Sequence, residues 1–248
     1  MKSHYLTALA LASAFALPAS TFADVDAITK SINEKMPGTQ IRSVTKSAHE
    51  GLYEVVVNGT TVFYTDEKGQ TGFFGKMVDL RTRTDLTEKR AQELMMVDFS
   101  SLPFDKAIVS TRGDGSRKLA VFSDPDCPYC KQLEKDLESI TNITVYTFLL
   151  HLTSIHPDAQ RKAELIWCST DRVKAYRDWM LEGSALSGSR DCPTPIADIG
   201  ALSKKLWIQG TPGMIFGSGK FVPGAIQRHQ IEALLDATKA VAQEAVRR

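Results

Sequence analysis

Residues 119–133 read LAVFSDPDCPYCKQL. Leu119 to Ser123 is a short apolar run of the kind that forms a buried strand. Pro128 suits the first position of a helix, where its missing N–H would have had no partner anyway. Cys127 and Cys130 therefore fall at a strand-to-helix junction. Residues three apart share a helix face, with Cβ atoms about 5–6 Å apart, so a slight adjustment brings the sulfurs within bonding range. The unpaired N–H groups and the dipole at the helix start favour a thiolate at Cys127. A thiolate is the attacking species in disulfide exchange. Cys130, one turn further in, is expected to be the more buried, resolving thiol. Asp124 and Asp126 oppose the thiolate and Tyr129 is neutral, so the Cys127 pKa is expected to fall, though not to the extreme of the strongest oxidants.

Two other readings of the pair compete with a redox couple. Structural zinc sites use two close pairs of ligands, but Cys168 and Cys192 lie far apart, and His49, His151, His156 and His229 are scattered singly. No metal and no cofactor is expected. A permanently closed staple is the second rival. The strand before the pair and the helix after it, in an exported chain, favour redox chemistry.

Export is read from the start of the chain. Lys2 is followed by an apolar core from Leu6 to Leu17, then by small residues, Thr21 and Ala23, three and one positions before Asp24. This is the layout of a secretory signal peptide over residues 1–23, cleaved near Ala23. The run is shorter than the ~20 residues needed to span a bilayer. No second long apolar stretch follows, so no membrane insertion is expected. Loss of Lys2 takes the formal net charge from +1 to 0, which gives no electrostatic reason to bind nucleic acid. Cysteines outside the cytosol tend to be oxidised. Cys168 and Cys192 lack a redox-type spacing and read as a permanent bridge, with a second redox pair as the alternative.

The four cysteines all lie in the second half, which suggests two domains. Residues 24–83 read as a small helix-plus-antiparallel-sheet domain. A short helix over Ala27–Met36 precedes strands Leu52–Val57 and Thr60–Thr65 around Asn58-Gly59, the strongest short hairpin signal. A third run lies near Phe73–Leu80. A domain of ~60 residues without disulfides is marginal alone. It gains either from pairing with a copy of itself through an edge strand or from packing on the second domain. Residues 84–106 read as a linker helix and hinge, with a charged helix over Asp85–Phe99 capped by Asp85 and Glu88. Residues 107–248 alternate strand and helix, break into a helical block, and close with a hairpin and a final helix. That is an α/β sandwich with a helical insertion, and α+β overall. Before the strand Met214–Phe216 stands Gly210-Thr211-Pro212. In the thioredoxin fold a cis proline at this place faces the CxxC. Thr211 can then pair with an extended substrate strand.

Three stretches, VFSDPDCPYCKQL, KAELIWCS and GTPGMIFGSGKFVPG, resemble the periplasmic DsbC/DsbG family of disulfide isomerases, and the likeness covers nearly all of the chain after residue 23. The resemblance implies a thioredoxin-like fold behind an N-terminal dimerisation domain, a homodimer with a broad uncharged cleft, and a periplasmic location. It implies isomerisation of wrong disulfides in misoxidised exported proteins, with chaperone activity and a membrane thiol reductase of the DsbD type as electron donor. By the same likeness Cys127 is the nucleophile, Cys130 the resolving thiol, Thr211-Pro212 the cis-proline loop with Tyr129 beside it for substrate, and Cys168–Cys192 the structural pair of the DsbC branch. Pro128 is more typical of the DsbG side. A DsbG-like reductase of oxidised single cysteines, a monomeric dithiol oxidase and a non-enzymatic chaperone are the alternatives.

Overall fold

Secondary structure is assigned over residues 20–246 in a computed structural model. The expected signal segment lies outside the described residues up to position 19. The chain forms two compact units that divide between Met77 and Val78.

The first unit begins with helix α1 (Ser20–Lys35), followed by strands β1 (Ile41–Lys46), β2 (Leu52–Val57), β3 (Thr61–Asp66) and β4 (Gly72–Phe73). The strands form an antiparallel sheet in sequence order. Val55, Val57 and Phe63 alternate onto one face and pack with Tyr53, Val44 and the helix residues Ile28 and Ile32. The Asn-Gly hairpin is present but its loop is one residue longer than read, because Val57 pairs with Thr61 and not with Thr60. Asn58 and Gly59 take φ of 50° and 93°, the left-handed region that tight hairpin turns require. Strand β1 was not anticipated. Its IRSVTK sequence buries only Val44 fully, too weak an alternation to stand out.

The second unit opens with a two-residue ladder, β5 (Val78–Asp79) and β6 (Thr84–Asp85), and helix α2 (Leu86–Leu94). Asp85 caps α2 by accepting from the Glu88 N–H at 2.9 Å. The helix was expected to run to Phe99 but stops at Leu94. The chain turns extended there and pairs with the far hairpin. Met95 O accepts from Phe221 N (2.8 Å), Val97 N donates to Gly219 O (2.8 Å), and Met96 bridges to Lys220. A Cβ on Gly219 would lie 2.5 Å from Val97 O, so this approach needs glycine.

Then come β7 (Ile108–Arg112), β8 (Arg117–Ser123), α3 (Pro128–Glu138), β9 (Ile143–Leu149), α4 (Ala159–Cys168), α5 (Arg172–Arg177) with a π-helical turn over Asp178–Glu182, α6 (Ile196–Lys205), β10 (Gly213–Phe216), β11 (Phe221–Pro223) and α7 (Arg228–Val246). The sheet order is β11-β10-β8-β9-β7, with β8 and β9 parallel and the other pairs antiparallel. Successive residues of β8 face opposite sides. Leu119 and Val121 pack with Leu133 and Leu137 of α3 and Ile231 and Leu235 of α7. Ala120 and Phe122 pack with Phe148, Ile199 of α6 and Ile215. Arg117, at the start of β8, ties α7 to the sheet through Glu232 and Asp236. Among the described residues no helix is long and apolar enough to cross a membrane.

Leu137 holds α3 on the sheet and is wholly buried. Leu137→Ala should cost about 2–5 kcal/mol, the range for removing a buried leucine side chain, read as a lower midpoint in urea unfolding of the reduced protein.

Candidate active site

The end of β8 carries the chain into α3 through Asp124-Pro125-Asp126. Cys127 is the N-cap residue of α3, in an extended conformation, with Pro128 at the first helical position. Its N–H donates to Asp124 O at 3.1 Å, and its carbonyl accepts from the N–H groups of Cys130 and Lys131, also at 3.1 Å. The Cys127 thiol donates across to Thr211 O at 3.4 Å. The Thr211–Pro212 bond is cis. The structure thus brings Cys127, Cys130, Thr211 and Pro212 together. Tyr129, between the cysteines, is 67% exposed.

Both cysteines are free thiols. Cys127 is 4% exposed and Cys130 1%. Cys130 is the deeper of the two, as expected, but Cys127 is less open than a helix-tip position suggests. The helical insertion accounts for this. Ile166 and Trp167 of α4, Tyr176 of α5, Met180 and Ile196 of α6 form one apolar cluster with both sulfurs.

The pair titrates in opposite directions. The Cys127 pKa is pushed down to about 5, chiefly because the Cys130 thiol donates to its thiolate. Burial works against this, and the Thr211 side chain with the N–H groups of Cys130 and Tyr129 adds to it. The Thr211 hydroxyl is buried and makes no hydrogen bond among the described residues. Cys130 is pushed far up, first by burial and then by the bond to Cys127. At neutral pH the site therefore holds one thiolate and one thiol, the arrangement that exchange requires.

The expected opposition of Asp124 and Asp126 is corrected by their surroundings. Asp124 is wholly buried. It accepts from Asp126 N and Leu152 N, each at 2.7 Å, and bonds His156 Nδ1 at 3.0 Å. Asp126 pairs with Lys162 at 2.5 Å. Neither carboxylate is among the main influences on Cys127. Trp179 donates to Pro125 O at 2.6 Å, with Lys131 and Lys162 over its ring at 4.5 and 4.6 Å. This clamp on the loop went unread in the sequence, because its members are scattered along the chain.

Cys168 and Cys192 are joined in a disulfide, Cα to Cα 5.8 Å, which ties the end of α4 to the segment before α6. Trp167 beside it donates to Pro193 O at 3.1 Å. Three further polar groups lie behind Cys130, namely Ser123, Tyr176 and Glu134. Glu134 had a visible signal, an acid on the buried stripe Cys130, Leu133, Glu134, Leu137 of α3.

Comparison with known proteins agrees with this geometry. A thioredoxin-like domain family matches residues 104–239, and the disulfide bond isomerase protein N-terminal domain matches residues 19–88. The probable thiol:disulfide interchange protein DsbC of Bordetella parapertussis is 41% identical over 210 residues, covering 85% of this chain and 74% of its own. The thiol:disulfide interchange protein DsbC of Escherichia coli is 27% identical over 188 residues, covering 75% and 77%. The crystal structure of a disulfide interchange protein from Neisseria gonorrhoeae, 42% identical, superposes with a TM-score of 0.53 over 55% of this chain and 98% of that one.

Absorbance of the reduced protein at 240 nm should show one thiolate lost on acidification, with a midpoint near pH 5. Cys130→Ala removes the principal donor to that thiolate, so the midpoint should move up. An unmoved midpoint would assign the shift to Thr211 and the helix end instead.

Proposed function

The chain belongs to the DsbC family of thiol:disulfide interchange proteins, and from that premise we propose that it is a disulfide isomerase acting on misoxidised exported proteins in the periplasm, with Cys127 as nucleophile and Cys130 as resolving thiol. Membership makes it a thiol–disulfide oxidoreductase. The observation that carries the finer reading is the split titration of the pair, with Cys127 ionised and Cys130 held as a thiol.

The Cys127 thiolate attacks one sulfur of a non-native substrate disulfide. A mixed disulfide forms and the other substrate sulfur leaves as a thiolate. That thiolate, or a third cysteine of the substrate, attacks elsewhere until Cys127 is expelled and regains its charge. No net electrons are transferred in this cycle. When the substrate stalls, Cys130 attacks Cys127, releases the substrate reduced, and leaves a Cys127–Cys130 disulfide. A donor must then reduce the enzyme, a role suited to a membrane thiol reductase of the DsbD type.

Thr211-Pro212 and exposed Tyr129 are the surface that receives the substrate chain. The Thr211 carbonyl touches the reactive sulfur, so an extended segment laid beside this residue brings its disulfide to Cys127. Because Cys127 is nearly covered, flexible and partly unfolded chains are the partners that reach it. The N-terminal unit serves dimerisation. Its edge strand β4 carries Phe73, 49% exposed, and Phe74 follows at 68%, apolar surface next to an unpaired edge. A homodimer offers two sites to one substrate, in keeping with chaperone activity.

Reactivation of scrambled ribonuclease tests the proposal, together with mass by light scattering. Cys127→Ser should abolish reactivation, while Cys130→Ser should keep part of it and accumulate mixed disulfides. The wild type should elute at twice the chain mass. Reactivation that survives Cys127→Ser would leave a chaperone. A monomer that oxidises reduced ribonuclease but does not reactivate the scrambled form would identify an oxidase.

A further inference from the structure

Two lysine ammonium groups meet one indole ring beside the reactive sulfur. Trp179 lies in the π-helical turn Asp178–Glu182 and packs against the apolar cluster that holds both thiols. Its N–H donates to Pro125 O, two residues before Cys127. Lys131 and Lys162 stand over the ring at 4.5 and 4.6 Å. Two cations on one ring repel each other unless anions offset them.

The two lysines differ in what balances them. Lys162 pairs with Asp126 at 2.5 Å and with Asp158 at 3.3 Å. Asp158 also takes both prongs of Arg161, each at 2.7 Å. The Lys131 ammonium makes no hydrogen bond or ion pair among the described residues. Around Trp179, then, Lys131, Lys162 and Arg161 share the carboxylates of Asp126 and Asp158, and the group is short of one negative charge. Asp124 does not supply it, being wholly buried and engaged by two backbone N–H groups and His156. Lys131 is also absent from the main influences on Cys127, so its charge is not tied up by the resting thiolate.

Lys131 is placed to meet a substrate. It stands four residues past Cys127 on the first turn of α3, and its backbone N–H donates to Cys127 O at 3.1 Å. Exposed Tyr129 lies between the two in sequence. A surface lysine loses much of the gain of an ion pair to the ordering of its own long chain. Here the Trp179 ring orders the chain in advance, and a cation–π contact does so without cancelling the charge.

We propose that Lys131, held on Trp179, pairs with a carboxylate flanking the substrate cysteine, so that polypeptide disulfides next to Asp or Glu are preferred. This deepens the reading of Cys127 as nucleophile and rests on it. The Cys127 thiolate attacks the flanked sulfur. The Cys127–substrate disulfide forms, the substrate's own disulfide breaks, and its other sulfur leaves as a thiolate. Cys127 carries no charge in that adduct, so nothing on its sulfur opposes the carboxylate at Lys131. The ion pair thus favours the mixed disulfide, the species that must persist while the substrate rearranges.

The test uses two symmetric peptide disulfides with blocked ends, alike except for Asp or Asn beside the cysteine. Each reacts with the reduced full chain under rapid quench, and mass spectrometry counts the Cys127–peptide adduct. The Asp:Asn rate ratio is taken within each variant, which cancels changes in the thiolate itself, and is divided by the same ratio for free 2-mercaptoethanol, which cancels the peptides' own reactivity. The wild type should prefer the Asp peptide about two- to fivefold, the range for one exposed ion pair, and about 0.5 M salt should erase the preference. Lys131→Met and Lys131→Gln should bring the ratio to one or below. Lys131→Arg should keep it, and Trp179→Leu, which leaves the charge but releases it from the ring, should lower it. A wild-type ratio of one, or a preference that survives in both Lys131→Met and Lys131→Gln, would overturn the assignment. A full preference in Trp179→Leu would overturn the part given to the ring. Glutathione disulfide is run alongside, and a Lys131→Met loss confined to it would give the site to a free tripeptide and overturn the polypeptide assignment. If the wild type forms no adduct at Cys127 with any of these disulfides, the nucleophile reading fails and this inference falls with it.

Discussion

One sulfur–sulfur hydrogen bond governs the site. Cys130 keeps its proton because it is buried, and it lends that proton to Cys127, whose charge it stabilises. The Cys127 shift leans chiefly on this bond, and the Cys130 shift on burial first and the bond second. Were Cys130 exposed, it would compete for the charge. Were Cys127 neutral, Cys130 would have no acceptor for its S–H. The backbone N–H groups at the start of α3 add to the same effect, but they act on any residue placed there. The bond between the thiols is what sets one of them as a thiolate and the other as a thiol. It also stabilises the reduced pair over the disulfide, because a thiolate of low pKa is a good leaving group.

That bond requires α3 to be held at one end and shielded at the other. Leu133 and Leu137 anchor the helix on the sheet, and α4, α5 and α6 close over the sulfurs. The disulfide between Cys168 and Cys192 and the bond from Trp167 to Pro193 O tie that cover together. Burial alone would penalise a thiolate. The nearest acids are engaged with partners of their own, Asp126 with Lys162 and Asp124 with its backbone donors and His156. The acids next to Cys127 in sequence are thus structural supports of its loop.

Much of this was legible in order along the chain. Local patterns reported themselves: the strand into Ser123, the proline opening α3, the Asn-Gly hairpin and the Asp85 cap. Cys127, Cys130 and Thr211-Pro212 were found because their spacing and flanks carry chemistry. What failed to show depends on contacts between distant residues. Helix α2 ends early because Met95 and Val97 bond to a hairpin more than a hundred residues on, and helix periodicity in residues 85–99 holds no record of that. Asp126 looks hostile to a thiolate until Lys162 is brought beside it. Strand β1 escaped notice because one buried valine in six residues is a faint pattern. Glu134 is the intermediate case. An acid between Leu133 and Leu137 breaks the apolar stripe of α3, and a break of that kind is visible in the sequence alone.

The distinction between an isomerase and a reductase comes down to how long a mixed disulfide survives. The substrate's own thiols need time to find the right partner, and every resolution by Cys130 ends that search with reduction. A resolving thiol with an ordinary pKa would cut the search short. Here the sulfurs are adjacent in space, so distance does not delay the attack. The delay comes from the proton, held in a buried thiol that gives up its charge-stabilising partner once Cys127 is bound to substrate. In that state Cys130 no longer donates to a thiolate, and the contribution of that bond to its raised pKa disappears, while the contribution of burial remains. Escape is therefore slowed but not blocked. A fold that buried Cys130 less would reduce its substrates before they could rearrange.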